Sequence, residues 1–114
     1  MLKRIQQINQ LLKRELSQII LKEIEFPLGV LVTITRAEAS ANLFKSRIFI
    51  SVIPEEKSSE IFKILNSRIY NLQQKINKRF RMRPVPQIIF MEEKKTKEAG
   101  RIEELLEKLK KEKD

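Results

Sequence analysis

Seven cations, Lys63, Arg68, Lys75, Lys78, Arg79, Arg81 and Arg83, lie between Ile61 and Met91, and no carboxylate stands among them. Guanidinium groups donate paired hydrogen bonds to a phosphate, and ammonium groups act on it as point charges. A surface that served only solubility would mix the two signs. Segregated positive charge points instead to a polyanionic partner, RNA foremost. At about 100° per residue, Arg68, Lys75 and Arg79 fall within about 40° of one another on a helix. With Lys78 they form a basic edge, and Arg81 and Arg83 carry the charge into the segment beyond. These six are the candidate contacts to a phosphate backbone; Arg36, Lys45 and Arg47 are candidate secondary contacts. A membrane surface, the next polyanion, needs large exposed apolar residues beside the basic face. Here the neighbouring apolar stripe is required for a core.

The other chemistry-bearing residues point away from catalysis. The chain has no histidine and no cysteine. The commonest general base, disulfides and thiolate metal sites are therefore excluded together. Glu55-Glu56 and Glu92-Glu93 read as a helix start and a strand end, not as acid–base or metal pairs. The two glycines, Gly29 and Gly100, stand apart and make no phosphate loop. We therefore expect no enzyme activity, no cofactor and no metal. Phe49 and Tyr70 are candidates for stacking on bases; Phe49 reads as core-facing, and Tyr70 fits either environment.

The elements that must position the cations belong to one domain. The chain has 114 residues and a net charge of +9, with 41% hydrophobic and 34% charged residues. That composition describes a folded, heavily charged protein. Residues 92–114 carry eight basic and eight acidic side chains, so the whole positive excess lies in residues 1–91. No apolar run approaches the roughly 20 residues that span a bilayer. The basic, amphipathic N-terminus contains Glu15 and a single serine, Ser17, and reads as a first helix, not a transit peptide. We expect a cytoplasmic monomer.

Ile5, Ile8, Leu12, Leu16, Ile19 and Ile24, widened by Ile20, give residues 2–24 helical periodicity. Phe26-Pro27-Leu28-Gly29 ends that helix. The segments 30–36 and 45–53 are β-branched and alternating, with residues 37–42 as the loop of an antiparallel pair. Pro54-Glu55-Glu56 suits a helix start. A stripe of Phe62, Leu65, Ile69, Leu72, Ile76 and Phe80 carries the helix to about Phe80. Asn66-Ser67 interrupts it with two weak helix formers, the expected site of a kink. Residues 83–86 lead into a third strand at 87–91, and 97–113 read as an amphipathic closing helix with Ile102, Leu105, Leu106 and Leu109 on one side. The order is α-β-β-α-α-β-α. We divide it into a core domain at 1–92 and a charged C-terminal helix or tail at 93–114.

Several local motifs in this order resemble ribosome-binding factor A over roughly Met1 to Leu109. Glu25-Phe26-Pro27-Leu28 loosely matches the family's helix-ending D-P-R-L, and Val32-Thr33-Ile34-Thr35 its first strand. Ser40-Ala41-Asn42-Leu43 and Arg47-Ile48-Phe49-Ile50-Ser51-Val52 match its turn and second strand. Leu65-Asn66-Ser67 is its leucine-asparagine-serine signature. Arg83-Pro84-Val85-Pro86, with Phe90, matches the approach to the last strand, and Gly100-Arg101-Ile102-Glu103-Glu104-Leu105-Leu106 the closing motif. The chain departs from the family in placing Arg68-Ile69-Tyr70 after the signature, where small residues are usual, and Gln73 where an arginine is usual.

The resemblance implies an α+β, type II KH-like fold, α-β-β-α-kink-α-β, with a three-stranded sheet and an added C-terminal helix. A kinked helix pair takes the place of the GXXG loop that KH domains use, and no GXXG occurs at residues 66–69. It further implies a factor that binds the free or immature small ribosomal subunit, with its 16S rRNA and neighbouring ribosomal proteins, and supports rRNA processing and maturation, notably in the cold. The rival readings are a general KH-like binder of single-stranded RNA, a small α/β phosphotransferase or acyl-phosphate hydrolase, and a protein-binding adaptor acting through the C-terminal helix.

Overall fold

The computed structural model describes residues 2–93. The first apolar stripe becomes the inner side of α1 (Leu2–Glu23). Leu12 and Leu16 are fully buried and Ile8, Ile19, Ile20 and Ile24 nearly so, while Lys3, Arg4, Lys13 and Arg14 remain in water. The chain then turns at Gly29, whose φ of +79° suits a residue without Cβ.

The alternating segments form β1 (Leu31–Ala39) and β2 (Lys45–Ile53), which pair antiparallel. β3 (Gln87–Glu92) joins β2 in parallel, giving the sheet order β1-β2-β3. β1 runs three residues past its expected end at Arg36, so 37–39 are strand and the loop is shorter. The cause is a β-bulge: Ile34 pairs with Ile50, yet Arg36 pairs with Phe49. The additional residue shifts the phase, turning Ala37 inward and Arg36 outward. Asn9 of α1 secures the extension, its Oδ1 accepting the Ala39 N–H at 2.7 Å.

A parallel β2–β3 pair needs a long crossover, and the second helical region supplies it in three pieces. A 3-10 turn at Glu55–Lys57 follows Pro54, which caps the turn and does not enter it. Next come α2 (Ser58–Ser67) and α3 (Ile69–Arg79). The break falls on Arg68, at φ −109° and ψ 4°, one residue beyond Asn66-Ser67. Ser67 Oγ donates to the Ile64 carbonyl at 2.7 Å, and the Arg68 N–H bonds the Leu65 carbonyl at 3.1 Å. The backbone ladder thus tightens from i−4 to i−3, and the helix is interrupted there. In α2 the core residues are Ile61 and Leu65, four apart; Phe62 is only partly buried against them. Leu72, Ile76 and Phe80 continue the stripe beyond the break.

The three helices cover one face of the sheet. Ile34, Ile48, Ile50, Val52, Ile88 and Phe90 meet the helical stripes in one apolar cluster. Each Leu or Ile fully removed from water stabilises the fold by about 1.5–3 kcal/mol relative to exposure. This is the expected KH-like arrangement. The closing helix expected at 97–113 lies outside the described residues. No helix among the described residues is long and apolar enough to cross a membrane.

Candidate functional site

The basic edge of α3 faces α1. Lys75 Nζ lies 2.6 Å from Glu23 Oε1. One turn on, Arg79 donates to Glu15 Oε2 at 2.6 Å and to Gln18 Oε1 at 3.2 Å. Arg79 holds the Glu15 carboxyl below its usual pKa, and Lys75 does the same for Glu23, with the charge of Arg68 adding to it. Arg68, Lys75 and Arg79 therefore share an edge as their spacing predicts, but two of the three are neutralised by carboxylates of α1. These pairs are partly open to solvent, where water and salt screen such contacts and they are worth little.

Arg36, Lys45 and Arg47 sit apart from that edge, on the sheet face turned away from the helices. Arg36 Nε bonds Glu93 Oε2 at 3.0 Å, and its guanidinium also pairs with Glu38. Arg47 approaches the same Glu38 at 3.5 Å. Glu93 is buried, accepts a 2.7 Å hydrogen bond from Thr35 Oγ1, and raises the pKa of Arg36. The guanidinium carbon of Arg36 lies 3.8 Å from the centroid of the Phe49 ring. Phe49 is thus buried, but beneath Arg36 on the outer face and not in the helix-side core, and it offers no surface to a base. Tyr70 is 77% exposed on α3. Glu92 and Glu93 diverge, one in water and one under Arg36. No group of residues among those described is arranged to hold a metal ion.

The remaining cations are held differently. Arg83 donates to the carbonyls of Phe80 and Met82 at 2.7 and 2.8 Å, closing the chain where it leaves α3. Lys45, Arg68, Lys78 and Arg81 form no side-chain hydrogen bond or ion pair with a described residue. Gln73 was visible in the sequence only as a missing arginine. Its amide donates to the Pro86 carbonyl at 3.2 Å and accepts from the Ile88 N–H at 2.8 Å, fastening α3 to the start of β3. Beside that junction the Gln87 N–H bonds the carbonyl of Phe44, whose ring is exposed. Neither role had a local signal, because both depend on chain neighbours brought together by the crossover.

A family model for ribosome-binding factor A matches residues 4–106. The chain belongs to the ribosome-binding factor A family. It is 33% identical over 108 residues to the ribosome-binding factor A of Pseudomonas fluorescens, covering 92% of this chain and 81% of that one. The Thermodesulfovibrio yellowstonii protein is 34% identical over 109 residues, covering 96% and 92%. In three dimensions the chain is similar to the crystal structure of ribosome-binding factor A from Thermus thermophilus, with a TM-score of 0.66 at 22% identity over 77% of this chain and 93% of that one. A homology model of the Thermus thermophilus ribosome-binding factor A, fitted into the cryo-EM map of a 30S complex, gives a TM-score of 0.62 at 22% identity, covering 75% and 90%. Within this fold Gln73 is the clamp between α3 and β3, and the helix breaks at Arg68.

Proposed function

We propose that this protein binds the free or immature small ribosomal subunit through its 16S rRNA and assists rRNA processing and subunit maturation. The observation that carries the reading is the carboxylate-free segment from Ile61 to Met91, folded here as the broken helix pair and its exit. Lys45, Arg68, Lys78 and Arg81 are the primary phosphate contacts, with Arg83 fixed at the exit of α3. Lys75, Arg79, Arg36 and Arg47 contribute less, because carboxylates already face them. The protein acts by binding, without catalysis or cofactor, as a cytoplasmic monomer whose help matters most in the cold. That a Thermus thermophilus relative has been placed in a 30S complex supports the choice of subunit.

Binding of this kind is electrostatic and shape-directed, so it weakens steeply with salt. Cosedimentation with free small subunits and with intact ribosomes tests it. Preference for free subunits is expected; equal binding to both would reduce the protein to a generic basic ligand. A short unstructured RNA should fail to displace it from small subunits. Efficient displacement would favour a general binder of single-stranded RNA.

A further inference from the structure

Phe44 lies in the turn between β1 and β2, and its side chain is 59% exposed. A lone exposed apolar residue is ordinary, but the backbone beneath this one is fixed on both sides. Its N–H bonds Asn42 Oδ1 at 3.1 Å, and its carbonyl accepts the Gln87 N–H at 2.8 Å. Ser40 closes the turn: its N–H bonds the Lys45 carbonyl at 2.8 Å, and its hydroxyl accepts the Lys45 N–H at 3.1 Å while donating to Asn42 at 2.6 Å. Leu43 adopts φ +62°, a left-handed conformation that a residue with a side chain rarely takes. That conformation turns Leu43 toward the core, where it is partly buried, and leaves Phe44 outside. The ring is therefore presented from a pre-ordered base.

Two cations follow it in the chain, the second of them, Arg47, faced by Glu38 at 3.5 Å. Lys45 follows directly, and Arg47 lies two residues further along the same face of β2. Gln87, which holds the Phe44 carbonyl, comes four residues after Arg83, so the Arg83 backbone lies within about 14 Å of it along the chain. Pro86 and Ile88 on either side of Gln87 are clamped to α3 by Gln73. A flat apolar ring beside point charges fits an unpaired nucleotide, the base on the ring and its phosphates on the cations.

We propose that Phe44 is a stacking platform for one unpaired base of the bound RNA, with Lys45 on a flanking phosphate. The proposal rests on the RNA-binding reading above and adds to it a preference for RNA with an extruded or single-stranded base over continuous duplex.

The chain contains no tryptophan, so Phe44→Trp in the full chain gives a unique fluorophore at the site. Titration with deproteinised small-subunit rRNA should quench its emission, and a perfectly paired duplex should not. Phe44→Leu keeps an apolar side chain of similar bulk but has no aromatic face. It should weaken rRNA binding on the order of tenfold, with the salt dependence unchanged because no charge is lost. Phe44→Trp should bind as the unaltered protein does. If Phe44→Leu binds rRNA as tightly as the parent, or the Trp variant is not quenched, the platform is wrong. If the parent chain does not bind small-subunit rRNA at all, the functional reading itself falls, and the platform with it.

Discussion

Two regions of this molecule carry the same side chains and use them differently. Along the seam between α1 and α3, Lys75 and Arg79 face Glu23 and Glu15 at 2.6 Å, and their charge serves the fold. At the helix break, near the end of α3, just beyond it and at the start of β2, Arg68, Lys78, Arg81 and Lys45 have no such partners among the described residues. A cation already paired to a carboxylate gains less from a phosphate, since one attraction must be given up for the other. Density of basic residues thus overstates the binding surface. What counts is which of them the fold leaves without a carboxylate.

Substituting Lys45, Arg68, Lys78 and Arg81 together with Ala should lower affinity for small subunits by orders of magnitude and reduce the salt slope by about four units, one per contact. Thermal stability should change little, because these side chains hold nothing in place; a collapse of the fold would show that they do.

Next in size is the clamp that joins the regions. Gln73→Ala leaves the Ile88 N–H without its acceptor and should destabilise the protein by about 1–3 kcal/mol in urea unfolding. A change within error would mean the β3 junction does not depend on it.

Releasing the seam should sharpen the contrast in the opposite direction. Glu15→Gln with Glu23→Gln frees Arg79 and Lys75, and should strengthen RNA binding and steepen the salt slope by up to about two units. Unchanged binding would place that edge away from the RNA.

The same two carboxyls predict an acid response. Both have lowered pKa values when folded, so the unfolded chain takes up their protons at higher pH. Their contribution to stability is complete above the ordinary carboxylate value of 4.5 and is lost as pH falls through the lowered ones. The urea midpoint of the parent should therefore fall more between pH 6 and pH 3 than that of the double Gln variant. Parallel pH curves would show the seam to be electrostatically idle.

Much of this architecture is written in local spacing. The stripe Ile8, Leu12, Leu16 and Ile19 sets α1, and the alternation Ile48, Ile50, Val52 sets the inner face of β2, because periodicity needs only neighbours in sequence. The common edge of Arg68, Lys75 and Arg79 was legible for the same reason. Their partners were not: Glu23 and Glu15 stand 52 and 64 residues away from Lys75 and Arg79, and only the packing of α3 on α1 brings them together. The bulge opposite Phe49 has no marker in its residue types, so Ala37 looked like loop and Phe49 like helix-side core. Asn66-Ser67 announced a kink, yet the backbone breaks on Arg68, since Ser67 bonds back to Ile64 first. Phe44 carried no periodic signal; its exposure follows from a turn built by Ser40, Asn42 and Leu43.

The most direct test compares two double variants for binding to free small subunits as salt is raised. Lys78→Ala with Arg81→Ala should flatten the dependence by about two units, and Lys75→Ala with Arg79→Ala by less than one. Equal losses from the two pairs would contradict the division between cations held by the fold and cations left for RNA.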